Sequence, residues 1–499
     1  MHKVMQTLRI ANLKYYILLG LLLCCSLVNG MQMVNPIHYG LRTAKNGEEK
    51  YYVLLKCHQE AVKKNCGVCY TGIKDIVLEI PNDATPIPLT SYTDFAGVRL
   101  KVKNSYKNLA LFSISQKLVP IKSVKGIDID RGVFSNYPEL SRGKKLLVIM
   151  DENPWVENRR GYSYGAFRRD IMLITNGRAS NKPVMSYGTP DSKLKAEYCN
   201  VSNDRVLVKN LAFVRDPKSL KMTMLIDLSN LYNVEITNIL IETPNNDELY
   251  RDAAIKISNC VDVTLNDITI KGTYSLINHS GYGINLNNIY NLKVNRMFAR
   301  AKWGVFGCNN LNTVTLNDCD INRFDIHCYG RDVFCKNTIF RNLYNQFSSL
   351  YGTLRFEGCH FVNSVPVLFE SSYSAYTYFN LEIENCAIDV DGERPYLIST
   401  GNPAKLSERP RKALAKACWP DVKIRNLMVN LPYNTEGWNI FQLRGGAGII
   451  HGITKIDIDG LIINGGGNSL KVRVSNKKMI FDRQLSVRVR NSNIEKVEN

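Results

Sequence analysis

The 499-residue chain lacks a second long apolar run, is sparing with cysteine for its size, and carries no block of like charge. Its one apolar run, Tyr15 to Leu27, is short for a membrane span, which wants about twenty apolar residues. A basic start (Lys3, Arg9, Lys14) precedes the run, and Val28-Asn29-Gly30 ends it in a small-residue cleavage pattern. A secretory signal over residues 1–30 is therefore expected, with export to the periplasm or the medium. Leu22-Leu23-Cys24-Cys25 also admits a lipoprotein signal, with Cys25 as a lipid-anchored terminus at the cell surface. No later segment is apolar and long enough to cross a membrane.

Of fourteen cysteines, two fall in the signal, and the remaining twelve are too sparse for a disulfide scaffold. Cys66 and Cys69 form a C-x-x-C beside Cys57, but no second C-x-x-C or H-x-x-x-H completes a zinc site. Buried thiols or one local disulfide are expected there. The net charge is +19, of which the three signal cations are part, leaving sixteen. The positive charge is dispersed and no nucleic-acid-binding motif is visible, so an acidic polysaccharide is the expected partner. A monomer is expected.

What the chain does have is a repeat. From residue 206 a phrase recurs: apolar, any, apolar, any, then Asn, Asp or Gly, then apolar, any, apolar. It begins at Val206, Val234, Val263, Leu292, Val314, Leu354, Leu381, Val422 and Ile456, with a looser copy at Val333. Starts lie mostly 19 to 29 residues apart, with gaps of 41 and 34 near the end. Alternation marks strands, the fixed polar or Gly residue marks a bend, and a period in the twenties means a solenoid. The Leu-rich consensus and helical half-repeat of leucine-rich repeats are missing, and propellers want about twice the period. Several copies carry another short strand ahead of the phrase: AIKIS at Ala254, GINL at Gly283, VPVLF at Val365 and IFQL at Ile440. The expected fold is all-β: one right-handed parallel β-helix domain over 31–499, with its main coils at 206–470. Cys319, Cys359 and Cys386 share a repeat position and read as stacked core thiols.

The segment Glu49 to Lys63 has helical periodicity and is followed by the apolar strand Ile76–Ile80. A helix and then a strand of this kind resembles the N-terminal cap of pectate-lyase-like β-helices, here over 31–80. That resemblance rests on periodicity and implies a polysaccharide-active protein. Residues 120–200 break the pattern with NPWVENRRGYSYGAFRRDIM and a Tyr/Pro/Gly-rich stretch, and read as an inserted loop or small β-subdomain. Its aromatic and Arg content suits one wall of a glycan groove.

Coils of a solenoid stack about 4.8 Å apart, so equivalent residues form surface rows. The strands ahead of the phrase gather Tyr282, then Lys302, Trp303 and Asn309, then Arg323, Asp325, His327 and Arg331, then Gln346 and Tyr351, then Glu370. Alternation turns Arg323, Asp325 and His327 one way and Phe324 and Ile326 the other. Such a cluster suits a lyase cutting a uronic-acid polymer, glycosaminoglycan- or pectin-like, by β-elimination. His327 or Lys302 would be the base, Arg323 and Arg331 would hold the carboxylate, and Tyr282 or Tyr351 would protonate the leaving oxygen. Trp303, Asn309, Gln346 and Glu370 would line the substrate. Several of the β-helix lyases that the chain resembles use calcium for the carboxylate. With no tight Asp/Glu cluster visible, arginine or lysine is expected instead, no metal site is assigned, and calcium stays open. Two alternatives remain. A glycoside hydrolase would pair Asp325 with Asp332, Glu357 or Glu370, and a glycan-binding solenoid would need no acid or base.

Overall fold

The computed structural model describes residues 27–28, 31–103, 109–156, 166–188, 193–215, 224–242, 253–272, 282–300, 304–342, 344–348, 350–369, 378–392, 394–400, 421–443, 455–471 and 486–498. Most of the signal segment, with Cys25, lies outside them, as do Lys302, Trp303 and Glu370. No helix among the described residues is long and apolar enough to cross a membrane.

Parallel strands wind around one axis, each coil pairing with the next. Val206 pairs with Val234, Val234 with Val263, Val263 with Leu292 and Leu292 with Val314. The all-β parallel β-helix expected from the repeat is the fold. Each coil has three straight segments: the strand ahead of the phrase, the first half of the phrase, and its second half. Inward Val, Ile, Leu, Phe and Cys side chains stack into a single core running along the axis.

The bend inside the phrase explains its polar residue. Asn210, Asn238, Asp267, Arg296, Asp318, Asn337, Gly358, Asn385, Asn426 and Gly460 all have φ between 48° and 81°. A Cβ disfavours that left-handed backbone, and Asn, Asp and Gly tolerate it best. The amides also bond along the axis: Asn238 Nδ2 donates to Asn210 Oδ1 at 2.8 Å, and Asn426 Nδ2 to Asn385 Oδ1 at 2.9 Å. At the neighbouring inward position Cys319, Cys359 and Cys386 are buried free thiols. Thr338, from the looser copy, fills the place between Cys319 and Cys359 in register. Cys57, Cys66 and Cys69 are also free thiols, so the local disulfide does not form.

Helix α1, Gly47–Lys63, closes the first coil. Asn46 caps it by accepting from Glu49 N at 2.8 Å, and Tyr51, Leu54, Cys57, His58 and Ala61 face the core. His58 is fully buried; Nδ1 donates to the Pro88 carbonyl and Nε2 accepts from the Tyr70 hydroxyl, each at 2.8 Å. Burial lowers its pKa from 6.5 to about 4, against the Pro88 hydrogen bond. The cap therefore keeps His58 neutral. Its contribution is whole above pH 6.5 and is lost as pH falls through 4, about 3 kcal/mol in all. Thermal melts between pH 7 and pH 4 should show a fall in stability that His58→Gln flattens.

The insertion is a five-stranded antiparallel sheet, in the order 178–179, 166–175, 144–156, 194–200, 119–121. One face packs on Ile129 of the short helix α2 (Gly126–Arg131), Phe134 and Tyr187. Leu146, Ile171, Leu173 and Cys199 of the other face meet Val261, Tyr232 and Tyr290 at the corner between the first two segments of the coils. The docking is also polar: Asn312 Nδ2 donates to Lys182 O at 2.8 Å, and Arg331 Nη2 to Val184 O at 3.0 Å. Asp170, in that interface, is pushed up to about 7 by burial, against bonds from Val184 N and the Tyr187 hydroxyl.

Candidate functional site

The strands ahead of the phrase form one face of the solenoid, and their outward residues fall into two rows. The first is Asp227, Lys256, Asn285, Gly307, Asp325 and Gln346. The second is Ser229, Ser258, Asn287 and Asn309, continued by His327, whose N–H bonds to Cys308 O. Phe324 and Ile326 point into the core as alternation requires, with Phe324 edge-on to Phe306 at 5.4 Å.

Tyr282, from two coils earlier, completes the cluster. Its hydroxyl donates to Asp325 Oδ2 at 2.7 Å and lies 2.8 Å from His327 Nε2. A hydroxyl has one proton, so with Asp325 ionised that proton points at the carboxylate and His327 donates from Nε2 to the phenol oxygen. Arg323 Nε donates to the same Oδ2 at 2.6 Å and its Nη2 to Gln346 Oε1 at 3.2 Å. The guanidinium lies over the Tyr344 ring at 4.6 Å. Burial opposes the charge on Asp325, but the Arg323 charge and the neighbouring His327 ring outweigh it and hold the carboxyl below its ordinary value. Arg323 is correspondingly held charged: burial works against it, and Asp325 wins.

Two backbone features make this possible. Arg323 has φ +45° at the corner where the next two coils place Asn342 and Asn363. A long cationic side chain in that backbone is strained, and strain of this kind gathers at functional sites. Gly304 and Gly307 lie beneath the Tyr282 ring, in the coil that the ring crosses. A methyl group on Gly307 would come 2.7 Å from Tyr282 Cγ, and one on Gly304 would come 2.9 Å from Cε1. Only with both glycines does the ring lie flat and its hydroxyl reach the coil beyond. Gly307→Ala is expected to displace the ring and cost about 1–3 kcal/mol, measured by urea denaturation.

Three sequence expectations need correction. Arg323 does not present its guanidinium to a substrate: its side chain is 3% exposed and ion-paired with Asp325. Arg331 belongs to the insertion contact through Val184. Tyr351 pairs in register with Arg331 at that same corner, away from the Tyr282 cluster. Gln346 is buried against Arg323, and Asn309 Nδ2 donates to Asn287 Oδ1 at 2.9 Å within the surface row. Of the three carboxylates expected to pair with Asp325 in a hydrolase, Glu370 lies outside the described residues and the other two are engaged elsewhere. Asp332 accepts from Thr353 N, and Glu357 is bound to Lys336 and Arg355 on another face. Gly304, Gly307 and Tyr344 were not anticipated. The first two were visible in the sequence as glycines three apart inside a strand, a sign of close approach. Among the described residues no group of three or more His, Cys, Asp or Glu side chains gathers to hold a metal.

No family model and no curated protein matches the chain. Among solved structures it is similar to the tailspike gp61 of Pseudomonas phage phi297, at 13% identity over 91% of this chain and 83% of that one, TM-score 0.50. The tailspike gp49 of Pseudomonas phage LKA1 matches at 12% identity over 92% and 81%, TM-score 0.48. The likeness is one of fold. The chemistry has to come from the residues themselves.

Proposed function

We propose that the chain is an exported polysaccharide lyase of the pectate-lyase-like kind, cleaving an acidic, uronate-containing polymer by β-elimination. The observation that carries this reading is the Tyr282 hydroxyl, within hydrogen-bond reach of both Asp325 and His327. β-Elimination needs a base for the proton beside the uronate carboxylate, and an acid for the leaving glycosidic oxygen. Tyr282 serves both. Its own proton passes to Asp325 as Tyr282 engages the substrate and returns at the end of the cycle, so the phenolate oxygen accepts from Asp325 and from the N–H of His327 and faces no ionised carboxylate. It takes the carbon-bound proton, the C–H electrons form the new double bond, and the C–O bond breaks. The phenol then returns that proton to the departing oxygen.

Asp325 orients Tyr282, and Arg323 keeps Asp325 ionised in the resting site, ready to accept the phenol proton. With Arg323 and Arg331 committed elsewhere, Lys302, two residues before Gly304 in the chain, is the proposed partner of the substrate carboxylate. The amides of Asn285, from the first row, and Asn287 and Asn309, from the second, supply hydrogen bonds for the sugar hydroxyls alongside.

Replacing His327 by alanine tests the assignment. A lyase should lose about 10²-fold or more in turnover while holding polymer as before. Unchanged turnover, or loss of binding alone, would instead favour a glycan-binding solenoid.

A further inference from the structure

A second face of the solenoid, formed by the first half of the phrase, carries a groove that the reading above does not use. Its volume is about 270 Å³, and Thr315, Asn317, Phe334, Lys336, Arg355 and Glu357 line it. Phe334 lies in register between Thr315 and Arg355 and is 37% exposed. In the row through Thr264, Lys293, Thr315, Phe334, Arg355, Glu382, Lys423 and Asp457 it is the only aromatic. A single exposed ring would need no explanation; this one sits in a concave site framed by fixed polar groups.

The framing is specific. Asn295 Nδ2 donates to Asn266 Oδ1 at 2.7 Å, and Asn317 Nδ2 to Asn295 Oδ1 at 2.9 Å. Each of these two amides spends one N–H on the ladder and keeps a second, so the face offers one donor per coil, about 4.8 Å apart. Lys336 is held by Glu357 at 3.2 Å, and Arg355 by Glu357 and Glu384 at 3.1 and 2.7 Å. Lys293, exposed beside the ladder, makes no ion pair among the described residues. The strip from Lys293 to Phe334 thus combines a free positive charge, periodic donors and a flat ring.

We infer that this face is an accessory, non-catalytic site for an acidic polysaccharide chain lying along the solenoid axis. Phe334 stacks on the apolar face of one sugar ring, the amide ladder donates to ring oxygens and hydroxyls, and Lys293 takes an acidic substituent. The site rests on the proposed substrate class but not on the cleavage chemistry, and would keep the polymer in place between cuts.

The test is affinity electrophoresis of the full chain, on a His327→Ala background, in gels holding pectate, alginate, chondroitin sulfate or heparan sulfate. Phe334→Ala and Lys293→Ala should each weaken retardation by the recognised polymer roughly threefold to tenfold. In the otherwise native enzyme, Phe334→Ala should leave turnover of short soluble oligomers unchanged. Retardation equal to the parent in both variants overturns the proposal, as does a parent that no polymer retards. A change of molar mass in Phe334→Ala with retardation intact also overturns it, and assigns the face to a second copy of the chain. If no polymer is cut but retardation still depends on Phe334, the accessory site stands and the lyase reading fails.

Discussion

Tyr282→Phe should slow turnover by about 10²–10⁴-fold, the span usual for loss of a positioned acid or base, while polymer binding stays within about twofold. The change removes one oxygen and leaves the ring on Gly304 and Gly307, so the surrounding packing has no reason to move. Asp325 loses one hydrogen-bond donor and keeps Arg323 at 2.6 Å. Stability should therefore fall by only about 1–2 kcal/mol. The separation of a large kinetic effect from a small structural one distinguishes Tyr282 as the reacting group from Tyr282 as a strut. Initial rates on the recognised polymer, set beside urea midpoints, give both numbers.

Asp325→Ala should act the other way, chiefly on the fold. It removes the carboxylate that is ion-paired with a guanidinium whose own side chain is 3% exposed. Breaking a buried pair from one side costs about 3–5 kcal/mol, because the remaining charge stays out of water. Adding Arg323→Asn to the same chain should recover most of that loss. Asn suits the left-handed corner, as Asn342 and Asn363 show in the next two coils, and the buried charge goes with the arginine. The double variant should still turn over poorly, since nothing then orients Tyr282. Urea denaturation of the two single variants and the double gives the coupling directly; additivity would contradict the pairing.

Much of the fold was legible because the solenoid writes its period into the sequence. Alternation around Val234 or Val263 fixes which side chains enter the core. The Asn, Asp or Gly of each phrase marks a bend that needs positive φ. The site was legible only as a neighbourhood. Asp325 and His327 share a face by alternation, and the coil register brings Tyr282 near. What the pattern does not encode is which charges are already satisfied. Arg323 and Arg331 look alike in sequence, yet one is buried against Asp325 and the other holds Val184 of the inserted sheet. That second contact spans 147 positions of chain, and no local periodicity reports it. The Phe334 groove was missed for a similar reason, since an outward Phe in an alternating strand looks like any other surface residue.

The most direct test is to incubate the protein with pectate, alginate, chondroitin, hyaluronan and heparan sulfate, with and without calcium, and follow ultraviolet absorbance and reducing ends together. Absorbance from the unsaturated uronate, rising in step with reducing ends and lost in Tyr282→Phe, is the predicted result. Reducing ends without that absorbance would contradict the account and point to hydrolysis.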